Sequence, residues 1–166
     1  DGANFYFLGH KYPLSFEASV SKRCRIHFEG HQWKVSLPGH LTPAERHQQI
    51  KHKLIKWYRH QAVEVFGGRL PLHADRMGVQ PRKMAIRSQK RLWGNCHYST
   101  QTIYFNWQVV MAPLEVIDYV MVHELCHLMV PNHSKRFWNK VKTYYPNHKD
   151  CQGWLKSHTM DLMLPL

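Results

Sequence analysis

Acidic residues are scarce in this chain of 166 residues: 11 Asp and Glu stand against 23 Lys and Arg, a formal net charge of +12 with histidine neutral. That balance suits an acidic partner such as nucleic acid, although the same charge is found on many proteins that have none. Cysteine is scarce too. Cys24, Cys96, Cys126 and Cys151 lie far apart with no Cys-x-x-Cys pair, which argues against a disulfide framework and against a cysteine-built structural zinc site. Reduced thiols fit a cytoplasmic setting. No apolar run reaches the roughly 18 residues of a membrane span, and the N-terminus lacks the charged-then-apolar pattern of a secretory signal. The chain therefore reads as soluble, with no membrane partner. It shows no internal repeat, low-complexity stretch or linker, and a start at Asp1 in place of Met reads as a fragment or a trimmed form.

What remains is globular. With 43% apolar residues the chain can build one core without staples, because at this size folding buries roughly 70% of the surface. The spacing predicts strands over the first 37 residues, with Pro13 marking an edge and Glu29-Gly30-His31-Gln32 a hairpin. In that hairpin Arg23, Arg25 and His27 share the face opposite Cys24, Ile26 and Phe28, either as a basic strip or as an ordinary solvated face. A helix follows, with Thr42 as cap, Pro43 first inside and Glu45 closing a capping box. Ile50, Leu54, Trp57, Tyr58, Ala62 and Val65 keep one side apolar, and Gly67-Gly68 is the expected end. Strands are expected at Met84–Ser88, Arg91–Tyr98 and Thr102–Trp107. Pro113 then opens an almost wholly apolar helix, Leu114–Val130, stopped by Pro131. A helix over Ser134–Tyr145 turns Phe137, Trp138, Val141, Tyr144 and Tyr145 inward, and the tail from Asp150 to about Met163 docks Trp154, Leu155 and Leu162. The expected division is a β-hairpin region at 1–38, part of the same domain or of a longer one, and a main domain at 39–166.

The chemistry lies in Val120-Met121-Val122-His123-Glu124-Leu125-Cys126-His127-Leu128-Met129-Val130. Histidines four apart stand one turn above each other on a helix face, so His123 and His127 can converge on one ion while Glu124 reaches its water. These are the polar groups of an otherwise apolar run, and burying them without purpose costs roughly 1–3 kcal/mol each. His133 follows just past the Pro131 break as an available third ligand; the alternative is that it only caps the next helix. Three protein ligands leave a position open for water, as in catalytic zinc sites. The helix after His133 contains no Asp or Glu that could serve instead. Cys126 points about 100° away from His127 and reads as a core residue.

Together with Lys90-Arg91-Leu92-Trp93-Gly94-Asn95-Cys96, Ile103-Tyr104-Phe105-Asn106-Trp107, Ile117-Asp118-Tyr119-Val120 and Asn132-His133-Ser134-Lys135-Arg136-Phe137-Trp138, this segment resembles the YgjP-like metallopeptidases. Those are small zincins similar to the WLM and SprT-like proteases. The resemblance runs from roughly Thr42 to Leu155. It implies an α+β, zincin-like metallopeptidase fold, with a short, mostly antiparallel sheet on the buried HExxH helix and an N-terminal β extension. It also implies Zn2+ held by His123, His127 and His133, with Glu124 as the base. Asn95 departs from the usual Trp-Gly-Ser-Cys, and Val130 replaces the glycine that metzincins carry three residues after the second histidine.

The resulting expectation is a zinc-dependent metallopeptidase acting on peptide or unfolded-protein substrate. Zinc lowers the pKa of its water toward about 7, and Glu124 takes the proton as that water attacks a carbonyl. An edge strand, Arg91–Tyr98 or Thr102–Trp107, would pair with the substrate backbone. Arg87, Arg91, Tyr144 and His148 are candidate oxyanion donors, each equally readable as a surface or core-rim residue. Two alternatives stay open. One is a nucleic-acid-associated zinc module acting on DNA-bound proteins, with non-specific nucleic-acid contact through a basic surface. The other is a metal-binding domain without peptidase activity. No helix-turn-helix, zinc-finger or RNA-binding signature supports the former.

Overall fold

In the computed structural model, which describes residues 2–18, 22–90 and 92–164, the alternating N-terminal segments form β1 (Asn4–Phe7), β2 (His10–Phe16), β3 (Arg25–Glu29) and β4 (Gln32–Ser36). They make one sheet in the order β1-β2-β4-β3. The β3–β4 hairpin turns at Gly30 and His31, whose φ values of 57° and 65° suit the two-residue turns that match strand twist. The expected edge position of Pro13 is corrected: β2 is an interior strand. Pro13 faces Asn4 of β1 on one side, and pairing with β4 begins only at Leu14, so the missing N–H interrupts no ladder.

α1 (Pro43–Met77) starts as expected, with the Glu45 N–H donating to Thr42 Oγ1 at 3.3 Å and the Thr42 N–H donating to Glu45 Oε2 at 2.8 Å. It does not stop at Gly67-Gly68. The buried stripe continues from Ile50, Leu54, Tyr58 and Ala62 through Phe66, Leu70, Ala74 and Met77. Two interior glycines cost about 1 kcal/mol each, and burial of four further apolar side chains outweighs that. Pro71 is tolerated because the carbonyl its ring crowds belongs to Gly67, the residue with the freest backbone. Gly78, at φ 66°, ends the helix. The N-terminal sheet shares the core of α1: Phe5, Leu14, Trp33 and Val35 pack in one cluster with Leu54 and Tyr58, and the Tyr58 hydroxyl donates to the Tyr6 carbonyl at 2.7 Å.

β5 (Lys83–Arg87), β6 (Gly94–His97) and β7 (Thr102–Asn106) form a second sheet in the order β5-β7-β6, parallel between β5 and β7 and antiparallel between β6 and β7. The Thr102–Trp107 segment is thus central and cannot serve as an edge; β6 can. Arg91, the expected first residue of that strand, lies outside the described residues. A 3₁₀ turn (Trp107–Met111) leads into α2 (Leu114–Cys126), followed by α3 (Lys135–Tyr144) and α4 (His148–Ser157). Gly9, at φ 85°, lets the β1–β2 turn lie against Pro113, where a Cβ would come within 2.9 Å of the ring. Among the described residues no helix is long and apolar enough to cross a membrane, and all four cysteines are free thiols.

One ion pair fixes α2 to α1. Arg69 donates to both oxygens of Asp118 at 2.7 and 2.6 Å, and His73 Nε2 stands 3.0 Å from Oδ1. Burial alone would raise the Asp118 carboxyl, but the hydrogen bonds from Arg69 and His73 overcome it and hold the group down at about 2. The folded value lies below the unfolded one of about 3.9, so this stabilisation is complete above pH 4 and is lost as pH falls through about 2. Asp118→Asn should cost on the order of 2 kcal/mol at pH 7 and remove that acid-dependent decline. Urea unfolding across pH measures both, and equal stability of the two proteins at pH 7 would contradict the clamp.

Candidate metal centre

α2 is buried nearly all round because it carries Val116, Ile117, Val120, Met121, Val122 and Leu125. It ends at Cys126, not at Val130. Pro131 disfavours helix at Val130, and the last turn tightens accordingly: His127, Leu128 and Met129 donate three residues back, to Glu124, Leu125 and Cys126. His127 keeps a helical backbone at φ −66° and ψ −18°, so it still stacks one turn above His123. The chain then reverses and returns His133 to the same face.

The three imidazoles meet through Nε2. His127 Nε2 lies 3.0 Å from His133 Nε2, which lies 3.3 Å from His123 Nε2, and one donor atom from each of the three falls within 4.8 Å of the others. Nitrogens held about 2.0–2.1 Å from a tetrahedral ion stand about 3.4 Å apart, so the spacing fits a metal. The outer nitrogens support this. His127 Nδ1 donates to the Val130 carbonyl at 3.1 Å, and His123 Nδ1 is 3.3 Å from the Tyr119 hydroxyl. The carbonyl only accepts, so it places the His127 proton on Nδ1 and turns that Nε2 lone pair inward, while the Tyr119 hydroxyl, able to donate or accept, holds the His123 ring. Burial, reinforced by the two other imidazoles, pushes His123 down to about 3, and burial lowers His127 as well. Imidazole nitrogens converging on one point form a donor set for a cation.

α3 holds the cluster from outside. Ser134 caps it, accepting from the Phe137 N–H. Phe137 stacks on His127 at 4.3 Å between centroids and meets His123 edge-on at 5.0 Å, and Trp138 stacks on His133 at 6.1 Å. Ser134, and not His133, is the capping residue.

Glu124 is buried, with Oε1 4.0 Å from His123 Nε2, and burial pushes its carboxyl up to about 8. The strand above it is cut to fit. A Cβ on Gly94 would lie 2.9 Å from Glu124 Cγ and 3.0 Å from Oε1. His123, Glu124, His127 and His133 all open into one cleft of about 390 Å³, walled by Trp93 and Asn95 at β6 and by Leu155 from α4. Cys126 is fully buried away from it, its thiol pushed up to about 12 by burial.

None of the described oxyanion candidates reaches this cleft. Arg87 lies over the Tyr104 ring on the far side of the sheet, His148 is buried against the Tyr145 carbonyl, and Tyr144 does not line the wall. Arg91 lies outside the described residues. Tyr119 and Gly94 stood in the quoted motifs without a role, and Asn95 only as a departure from the usual Trp-Gly-Ser-Cys; for Tyr119 the available signal was its place four residues before His123. Gly94→Ala should destabilise the protein by about 1–3 kcal/mol. Adding Glu124→Ala should cancel most of that cost, read as the coupling energy of a thermal-unfolding double-mutant cycle.

A family model described as YgjP-like, metallopeptidase domain, matches residues 1–158. Among solved structures, the metallopeptidase zymogen abylysin of Pyrococcus abyssi superposes with a TM-score of 0.51 at 25% identity, covering 57% of this chain and 95% of its own. No curated protein matches the chain.

Proposed function

The chain belongs to the YgjP-like metallopeptidase family, and from that premise we propose that it is a zinc-dependent peptidase with Glu124 as general base and His123, His127 and His133 as the metal ligands. The observation that carries the proposal is the convergence of three imidazoles, two of them held from outside by Tyr119 and Val130, beside one buried carboxyl group. Zinc in this nest would lower the pKa of a water toward about 7 and polarise the scissile carbonyl. Glu124 takes the proton of the attacking water and returns it to the leaving amine. A cation in the nest would favour the ionised form of this buried carboxyl, the form that accepts a proton.

The substrate is a peptide or unfolded segment in extended form. Among the described residues β6 pairs only with β7, so its other edge offers backbone N–H and C=O groups at the cleft rim, and pairing there needs little side-chain specificity. Trp93 and Leu155 give the adjoining walls an apolar surface. Residues 1–38 and 39–166 act as one unit, which their shared core supports, and the four free thiols suit a reducing, cytoplasmic setting.

Glu124→Gln should retain one zinc per chain and lose hydrolysis of an unfolded protein by about 10²–10⁴-fold or more. Metal analysis and a digestion assay on the same preparations decide it. Near wild-type turnover in the variant would remove Glu124 from the mechanism. A wild-type protein that holds zinc and digests nothing would leave a metal-binding domain without peptidase activity.

A further inference from the structure

Among the described residues one face of the second sheet is open along its middle, while Thr102 and Asn106, which share that face by register, are buried at its two ends, Asn106 under the loop that carries Gln89 and Leu92. Ile103 and Phe105 of β7 point to the core, so Tyr104 points the other way. Through the pairing register, Lys83, Ala85 and Arg87 of β5 and Asn95 and His97 of β6 share that outward face. The helices pack on the opposite side: Phe66 of α1 meets Phe105, and Glu124 of α2 lies under Gly94. Lys83, Arg87 and His97 are exposed. Arg87 Cζ sits 3.6 Å from the centre of the Tyr104 ring, and His97 meets the same ring edge-on at 5.1 Å.

The charge here is of one sign. From Arg76 to Leu114, the stretch that supplies the whole sheet, the chain has no Asp or Glu but carries Arg76, Arg82, Lys83, Arg87, Lys90 and Arg91. Among the described residues Lys83 and Arg87 have no acidic partner. We propose that this face binds single-stranded nucleic acid, with Lys83 and Arg87 on phosphates and the Tyr104–Arg87 stack as the platform for unpaired bases. An acidic polypeptide would use the cations but not the stack. A membrane would need apolar anchors, and the outward positions of β5 offer only Ala85. Aromatic rings and guanidinium planes beside phosphate-binding cations are the chemistry that single strands use. Asn95 also lines the cleft, so a bound strand lies along the cleft rim. The surface stands independently of the peptidase reading, and its test needs no metal.

The test is fluorescence anisotropy with a labelled deoxythymidine oligomer about 20 nucleotides long, between about 50 and 200 mM salt. Replacing both Lys83 and Arg87 by Gln should weaken binding about tenfold at the low end and make the log–log salt slope shallower by about 1.4. Lys142→Gln with Lys149→Gln, exposed on α3 and α4, removes equal charge elsewhere and should change affinity less than about twofold. Tyr104→Leu, checked for folding by circular dichroism, should weaken oligomer binding about tenfold and leave polyglutamate binding unchanged. No binding at low salt, or equal losses in the two charge variants, would overturn the site. Polyglutamate competing as well as the oligomer would make it an acidic-polypeptide surface, and tighter binding of a duplex would overturn the single-strand assignment. If Tyr104→Leu misfolds, the exposed Lys83 and Arg87 pair still decides the proposal.

Discussion

Two imidazoles and a carboxylate on a helix that runs through an apolar core are the constraint around which this molecule is arranged. Each of those groups loses water on burial, and for the two imidazoles the structure replaces it: Val130 and Tyr119 serve the outer nitrogens, and His133 comes back to face the inner ones. Among the described residues Glu124 receives no hydrogen bond of that kind, and burial raises its carboxyl. A site that left all three imidazoles comfortable without a cation would not need their Nε2 atoms 3.0 and 3.3 Å apart.

The elements outside α2 then have recognisable tasks. α1 supplies Arg69 and His73 to hold Asp118, five residues before His123 on α2. α3 supplies Phe137, edge-on, and Trp138, stacked, which together keep His133 over the site. β6 supplies the roof, and Gly94 is the position where backbone must approach Glu124 too closely for any side chain. The N-terminal sheet touches this arrangement indirectly, through the Leu8 and Gly9 N–H groups that donate to the carbonyls of Val110 and Met111 just before α2.

Much of this was legible in the sequence because it is local. The Thr42–Glu45 box, the four-residue spacing of His123 and His127 and the arrest at Pro131 are each written within a turn or two of chain. The continuation of α1 through Gly67, Gly68 and Pro71 was not, because local propensity says stop and only the tertiary burial of Phe66, Leu70, Ala74 and Met77 says continue. Strand order was hidden for a related reason. A parallel pairing such as β5 with β7 leaves no turn to read, so Thr102–Asn106 looked as much like an edge as Gly94–His97. The Arg69–Asp118 pair joins residues far apart in the chain, and nothing in either neighbourhood announces the other.

The central claim is that one zinc ion sits on three histidines and no sulfur. X-ray absorption at the zinc edge on the purified protein tests it most directly. The account predicts one zinc per chain with three imidazole nitrogens at about 2.0–2.1 Å and a shell completed by oxygen. A scatterer at about 2.3 Å, placing Cys96 or Cys126 on the metal, or a spectrum unchanged by His133→Ala, would contradict it.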